Sequence, residues 1–253
     1  MLMITLLDAA SAAGQQSSLL DNFTSSHAFF LIIIIAVLGW LVQARLQSVF
    51  SKYSQVMFPG GLSGAEAAEK MLRENNVHNV KITHVSGHLT DHFNPATMTV
   101  NLSDSVYSSR SVAAVAVACH ECGHAIQHAQ GYPALQLRSQ LVPIVNFSSR
   151  FATWVIIGGL ILMGITQNEI VCWIGIGMIA MSALFSIVTL PVEYNASNRA
   201  LAWLEASRMM NSEQLEGART SLKWAARTYL VAALSAIATV LYYITIIAGN
   251  RRR

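Results

Sequence analysis

Charged residues and cysteines are scarce in this chain of 253 residues. Charged side chains make up 11% of the sequence against 53% hydrophobic residues, and the mean hydropathy is +0.45. Because soluble domains carry about 25% charged residues, this composition argues against a soluble protein and favours a membrane protein with a modest polar portion. The net charge of +3 is too small and too dispersed to predict a nucleic-acid partner.

The chain has three cysteines, Cys119, Cys122 and Cys172, and this small, odd number does not indicate a disulfide framework. An extracytoplasmic disulfide scaffold is therefore not predicted. No lysine or arginine precedes Arg45, so the positive region that begins a secretory signal is missing. We interpret residues 1–27 as a polar N-terminal lead-in.

Long apolar runs dominate the rest of the chain. Four of them approach bilayer length, at residues 28–42, 151–165, 170–190 and 229–248. A membrane span needs about 20 residues, so the first two need flanking turns, and a buried core helix is the alternative for each. We predict a mainly α-helical integral membrane protein with about four transmembrane helices: helix 1 over residues 28–44, a hairpin over 151–190 and helix 4 over 228–250, followed by a basic tail at 251–253.

The polar segment of residues 45–150 carries signals of a small α+β domain. Ser63-x-x-Glu66 is a capping box that predicts the start of a helix. Alternation around Val80–Ile82 and Met98–Leu102 predicts two short strands, with a loop over residues 87–95 between them. We expect the second strand to lie at a sheet edge, where it could pair with an extended peptide.

Basic residues indicate the orientation in the membrane. Eight of the sixteen lysines and arginines lie within residues 45–150 and five lie within residues 199–227. Those five belong to residues 191–227, which we predict to form a helical segment with a break near Asn211. Cytoplasmic segments are enriched in these residues, so both regions are predicted to be cytoplasmic. The three final arginines, at 251–253, conflict with this rule if all four helices cross. We give more weight to the other thirteen.

The most specific functional motif is the string His120-Glu121-Cys122-Gly123-His124. It stands at the end of an Ala/Val-rich run that predicts a helix. On a helix the two histidines lie about 40° apart on one face, one turn from each other. Both imidazoles can then bind one Zn²⁺, and Glu121 can take a proton from water that the metal activates.

Nearby residues offer alternatives to this interpretation. The Cys119-x-x-Cys122 pair could form a redox or thiolate zinc site, but on a helix it faces away from the histidines and suits a packed surface. His128 extends the histidine series, yet eight residues rise about 12 Å, too far for one zinc ion to join it to His120. We therefore interpret His128 as an outer or solvated residue.

A catalytic zinc usually keeps three protein ligands. Glu193 is the best candidate for the third, because two spans separate it from the histidines and an even number returns the chain to the same side of the membrane. The alternative is a solvated carboxylate near a helix start.

The blocks AVACHECGHAIQ, GHLTDHFNP and LPVEYNASNRA together resemble the YugP-type neutral zinc metallopeptidases of bacterial membranes, which are similar in layout to HtpX-type proteases. The resemblance covers about residues 61–200 and implies a zincin-like domain with a gluzincin-like site. In that site His120, His124 and Glu193 would bind one zinc ion and Glu121 would act as base. HtpX-type enzymes often carry aspartate where this chain has Ser197.

The predicted function is that of a zinc-dependent endopeptidase, integral to the bacterial inner membrane, with its active site facing the cytoplasm. Its partners would be the lipid bilayer and protein or peptide substrates. His92 and Arg199 lie in the resembling blocks and are candidates for stabilising the oxyanion, with a solvated loop histidine as the alternative for His92. A non-catalytic membrane scaffold and a zinc hydrolase of a non-peptide bond are the competing functions.

Overall fold

The structure, a computed structural model, describes residues 25–250. Most of the predicted N-terminal lead-in and the basic tail at 251–253 lie outside these residues. The described elements are, in chain order, α1 (Ser25–Ser54), α2 (Gly64–Glu74), β1 (Lys81–Val85), β2 (His92–Asn94), β3 (Thr99–Ser103), α3 (Val112–Ala129), α4 (Pro133–Thr166), α5 (Ile170–Ala206) and α6 (Ser212–Asn250).

Four of these helices are long and apolar enough to cross a membrane: α1, α4, α5 and α6. The prediction of a mainly helical protein with four such helices and a small sheet is therefore confirmed. The helices run beyond the apolar stretches that predicted them. Hydropathy detects only the apolar part of a helix, whereas the backbone hydrogen bonds continue into its polar turns, as α5 does through Pro191 to Ala206.

The chain divides into two compact units. Unit 1 consists of the described parts of Met1–Val37, Asn146–Ala183 and Leu234–Arg253. Its buried core holds Ile156, Met163, Cys172, Ile176 and Ile247. Large apolar side chains remain exposed on this unit, among them Trp154 at 73% and Ile165 at 77%. Apolar surface on this scale fits contact with lipid.

Unit 2 consists of Leu38–Val145 and Leu184–Ala233 and has a core of its own. Helix α2 begins as predicted with a reciprocal capping box. Glu66 N donates to Ser63 Oγ at 3.3 Å, and Ser63 N donates to Glu66 Oε2 at 2.7 Å. The buried face of α2, which includes Met71 and Leu72, packs against α3. This packing supports the helix that carries the histidines.

The sheet of unit 2 has the order β1-β3-β2, with β1 parallel and β2 antiparallel to β3. The strand predicted around Met98–Leu102 is therefore central, and the expectation that it forms an edge was wrong. Strand β2 occupies His92–Asn94, inside the segment predicted to be a loop. Three residues give too little alternation to reveal a strand in the sequence, and this strand exists because β3 supplies its ladder partners.

The side chains on the two faces of β3 make different contacts. Val100 and Leu102 are fully buried in the core. On the other face Asn101 Nδ2 contacts His92 Nε2 at 3.2 Å. Ser103 donates through its backbone N and its hydroxyl to the two carboxylate oxygens of Asp91, at 2.8 and 2.9 Å. Polar contacts of this kind attach the segment before and within β2 to the sheet.

Candidate metal centre

Helix α3 places the two histidines and the glutamate of the central string. Ser111 caps its N-terminus, where Ala114 N donates to Ser111 Oγ at 3.2 Å. The rings of His120 and His124 lie on one face with their centroids 4.8 Å apart. Glu121 is 8% exposed and His124 6% exposed. The helical period has thus brought three ionisable side chains to a poorly solvated place.

Helix α5 brings Glu193 to this face. Glu193 Oε2 lies 3.2 Å from His120 Nε2 and 3.6 Å from His124 Nε2, and the residue is 2% exposed. The helices can approach this closely because Gly123 has no side chain. A Cβ on Gly123 would lie 2.6 Å from the Ala196 carbonyl oxygen and 3.0 Å from Ala196 Cα. The glycine within the histidine string is therefore a requirement of helix packing.

These three side chains fit a zinc ion. Their ligand atoms lie within 4.8 Å of one another. Tetrahedral zinc with bonds of about 2.0–2.1 Å separates its ligand atoms by about 3.3 Å. The two distances from Glu193 Oε2 to the imidazole nitrogens, 3.2 and 3.6 Å, lie on either side of that value. Two imidazoles and one carboxylate are also the donor set of known catalytic zinc sites.

The electrostatics of the centre favour a cation. Burial lowers the pKa of the His120 imidazole, but the hydrogen bond to Glu193 and the charges of Glu121 and Glu193 outweigh burial and raise that pKa. Two carboxylates in a poorly solvated place thus stabilise positive charge at the position between the two histidines. A proton or a metal ion can provide this charge.

Each candidate histidine ligand makes a hydrogen bond through its other ring nitrogen. His120 Nδ1 lies 3.1 Å from Ser197 Oγ, so Ser197 contacts the imidazole of this candidate ligand. His124 Nδ1 lies 3.0 Å from Gln127 Oε1. Such partners orient metal-binding imidazoles and fix their tautomers.

A cavity of about 350 Å³ opens beside the three side chains. Its walls come from the β2 segment, from α3, from α4, from Glu193 of α5 and from Tyr229 of α6. Glu121 lines this cavity, and Glu121 Oε2 accepts a hydrogen bond from Phe93 N at 3.0 Å. The candidate base is thereby fixed against the outer edge of β2.

The cavity holds two residues that sequence reasoning missed. Arg138 Nη1 lies 3.8 Å from Glu193 Oε1, the oxygen that does not face the histidines. Tyr229 lines the cavity and is a neighbour of Glu193. Both come from long helices without a motif, and an amphipathic pattern alone could not have distinguished them from other polar residues. The missed Gln127 had a signal, because it lies three residues after His124 on the same helix.

The two predicted oxyanion residues lie in different places. His92 lines the cavity, but its Nδ1 donates to the Thr90 carbonyl at 2.8 Å and its Nε2 faces Asn101 Nδ2, so the neutral ring has no N–H left for a substrate. Arg199 is not among the described residues that line the cavity. Its Nε donates to Asn195 Oδ1 and its Nη1 to Gln130 Oε1, each at 2.7 Å.

The remaining alternatives concern His128 and the two nearby cysteines. His128 is exposed and lines the cavity, with its ring centroid 5.7 Å from that of Phe93. Cys119 and Cys122 are fully buried in the core of unit 2, and burial raises the pKa of both thiols. Thiols held neutral among apolar side chains suit packing and disfavour a redox or thiolate metal site.

The chain is similar to known proteins over most of its length. A family model described as "Putative neutral zinc metallopeptidase" matches residues 28–248. The chain is 38% identical over 226 residues to "Putative membrane protease YugP" of Bacillus subtilis (strain 168), an alignment that covers 88% of this chain and 98% of that protein. No solved structure matches the chain. The chain therefore belongs to this family of membrane-associated neutral zinc metallopeptidases.

Proposed function

We propose that the chain is a zinc-dependent endopeptidase that hydrolyses peptide bonds of membrane or membrane-proximal proteins. One observation carries the proposal: Glu121 lines the same cavity as His120, His124 and Glu193 without being needed as a ligand. A structural zinc site usually closes its fourth position with protein, whereas a catalytic site keeps that position open and places a base beside it.

In the proposed site His120 Nε2, His124 Nε2 and Glu193 Oε2 would hold one zinc ion per chain. The bound ion would supply Lewis acidity, which lowers the pKa of water and polarises a carbonyl. Arg138 Nη1 faces the other oxygen of Glu193 and would favour binding through Oε2 alone. The protein thereby presents one carboxylate oxygen and two imidazole nitrogens to the ion.

Glu121 would act as the general base and then as the general acid. The Phe93 N–H occupies Oε2, so Oε1 is the oxygen that would take the proton of the attacking water. The same oxygen would then return this proton to the leaving amine nitrogen as the peptide bond breaks. Fixing one oxygen limits rotation of the carboxylate and keeps the other directed to the reacting atoms.

A second donor is needed for the oxyanion that forms at the scissile carbonyl. We infer that Tyr229 serves this role, because its side chain lines the cavity and neighbours Glu193. Arg138 lines the same cavity and adds positive charge. The guanidinium of Arg199 is occupied by Asn195 and Gln130, which supports a different role for that residue.

We propose that the substrate binds along the outer edge of β2. Phe93 directs its N–H to Glu121 and away from the ladder with β3, so this edge runs beside the base. An extended peptide that added to this edge would place its backbone along the cavity wall. Central β3 has partners on both sides and cannot take this role.

The orientation proposed from the sequence is retained. Thirteen of the sixteen lysines and arginines lie in residues 45–150 and 199–227, which supports a cytoplasmic position for both segments and for the active site they flank. The bacterial inner membrane is the location we propose. The catalytic region would comprise residues 45–150 and 191–227, together with Tyr229.

The proposal is tested on the full chain purified in detergent, with zinc content and cleavage of an unstructured, membrane-tethered reporter measured together. We expect wild type to bind zinc and cleave, and Glu121→Ala to bind zinc without cleaving. Glu193→Ala should lose both zinc and cleavage. Glu205→Ala is the matched control, because Glu205 is an exposed carboxylate on the same helix, and it should resemble wild type.

The other outcomes identify the competing functions. Full cleavage by Glu121→Ala would remove Glu121 as the base. Zinc bound by wild type without any hydrolysis would indicate a scaffold. Zinc-dependent hydrolysis of a lipid ester that requires Glu121, without cleavage of the reporter, would indicate a non-peptide hydrolase.

A further inference from the structure

Behind the metal centre, Gln127 makes three hydrogen bonds while being completely buried. Its Nε2 donates to the Val192 carbonyl at 2.8 Å and to Asn195 Oδ1 at 2.9 Å, and its Oε1 faces His124 Nδ1 at 3.0 Å. A carbonyl oxygen can only accept, so the amide nitrogen of Gln127 must point toward Val192. The amide oxygen is then fixed toward His124.

A second fixed donor sets the orientation of Asn195. Arg199 Nε donates to Asn195 Oδ1 at 2.7 Å, and a guanidinium has no acceptor. The atom of Asn195 that faces both Arg199 and Gln127 must therefore be its oxygen. Gln130 Oε1 accepts from Arg199 Nη1 at 2.7 Å and helps to hold the guanidinium in place.

These directions determine the tautomer of His124. Gln127 Oε1 is an acceptor, so His124 Nδ1 must carry the proton. His124 Nε2 is then left with its lone pair, and it lies 3.6 Å from Glu193 Oε2, where the metal would bind. His120 differs, because its partner Ser197 Oγ can either donate or accept and so leaves the tautomer open.

We propose that Arg199, Asn195 and Gln127 form a hydrogen-bond relay that holds His124 in its metal-binding tautomer. All three are positioning residues, since the relay reaches the metal centre only through His124. The inference rests on the proposed zinc site and assigns to Arg199 a role outside the cavity. It predicts that zinc affinity depends on an acceptor oxygen in the side chain of residue 195, which asparagine and aspartate both supply.

The test measures zinc affinity of the full chain in detergent by competition with a chromophoric chelator. Gln127→Met and Asn195→Leu remove the relay at similar volume and should weaken zinc binding about 10- to 100-fold. Asn195→Asp keeps an oxygen for both donors and should stay within about threefold of wild type. Gln136→Met, at an exposed position, is the control and should bind zinc as wild type does.

The outcomes separate this inference from the proposed function. Wild type that binds no zinc would contradict the zinc site itself. Wild-type affinity in both Gln127→Met and Asn195→Leu would overturn the relay, as would an Asn195→Asp variant as weak as Asn195→Leu. Leucine and aspartate both come close to the shape of asparagine, but only aspartate keeps an acceptor oxygen, so zinc affinity lost in Asn195→Leu and kept in Asn195→Asp assigns the effect to that oxygen.

Two further measurements keep the relay falsifiable if a buried variant fails to fold. Arg199 is only partly buried, so Arg199→Met removes the donor without opening the core. Its zinc affinity should fall by several-fold, and unchanged affinity would remove Arg199 from the relay. The visible spectrum of the cobalt-substituted protein should change in Arg199→Met and remain as in wild type for Asn195→Asp.

Discussion

The backbone N–H of Phe93 donates to Glu121 Oε2 across 3.0 Å. This bond joins strand β2, which was not predicted, to the candidate base of helix α3. It fixes one carboxylate oxygen of a residue that is 8% exposed and places the base beside the edge where a peptide would bind.

Phe93→Pro should remove this hydrogen bond and leave the strand in place. Proline has no N–H, and this N–H is not part of the ladder with β3, so an edge position can accept it. Hydrogen bonds to charged groups contribute about 1.5–3 kcal/mol, so kcat should fall about 10- to 100-fold. Zinc content should stay at the wild-type level. Phe93→Leu keeps the N–H and is the control. Equal kcat in the two variants would contradict the assigned role of the bond.

Tyr229→Phe should lower kcat about 100-fold while KM and zinc content change little, because an oxyanion donor acts mainly in the transition state. Steady-state kinetics on a fluorogenic peptide measure this change. Tyr194→Phe serves as the control, because Tyr194 is an exposed tyrosine of α5 outside the cavity lining. A Tyr229→Phe variant with wild-type kcat would exclude Tyr229 as the donor.

Gly123→Ala should separate helices α3 and α5 and weaken zinc binding. The added Cβ would lie 2.6 Å from the Ala196 carbonyl oxygen, and backbone atoms cannot move aside as a flexible side chain can. Overpacking of this kind costs about 1–3 kcal/mol, which a thermal unfolding experiment detects. Gly177→Ala is the matched control, since a Cβ at this helical glycine meets nothing within 4 Å. Similar melting temperatures and zinc affinities for both variants would refute the packing argument.

The native cysteines should be inert in the folded protein. Cys119 and Cys122 are fully buried, Cys172 is 1% exposed, and the thiolate form needed for reaction is disfavoured by burial at the first two. Ellman's reagent should therefore detect no thiol before denaturation and three afterwards. The double variant Cys119→Ala, Cys122→Ala should retain wild-type zinc content. Loss of zinc in that variant would support the thiolate site instead.

The proposed orientation is tested with single cysteines added to the wild-type chain, whose own thiols are buried. Asn168→Cys lies between α4 and α5, and Glu69→Cys lies on the exposed face of α2. A membrane-impermeant maleimide should label Asn168→Cys in intact spheroplasts and Glu69→Cys only after lysis. The reverse pattern would place the catalytic region outside the cytoplasm. Unmodified wild type is the labelling control.

Much of the local structure followed from the sequence. The capping box at Ser63 and Glu66 and the break before Ser212 were read correctly, because capping groups and turn residues act over a few positions. The strand at residues 92–94 was not predicted. A strand of three residues takes its identity from its ladder partners, which lie elsewhere in the chain.

The sequence by itself determined that His120, Glu121 and His124 share one helix face, because the helical period is a property of the local backbone. Span counting also named Glu193, and the structure brings it within 3.2 Å of His120 Nε2. Only the tertiary structure decided that Arg138 and Tyr229 line the cavity while the Arg199 guanidinium lies outside its lining. Those positions depend on how elements far apart in the chain pack and on which hydrogen-bond partners they meet, and no local pattern in the sequence encodes either.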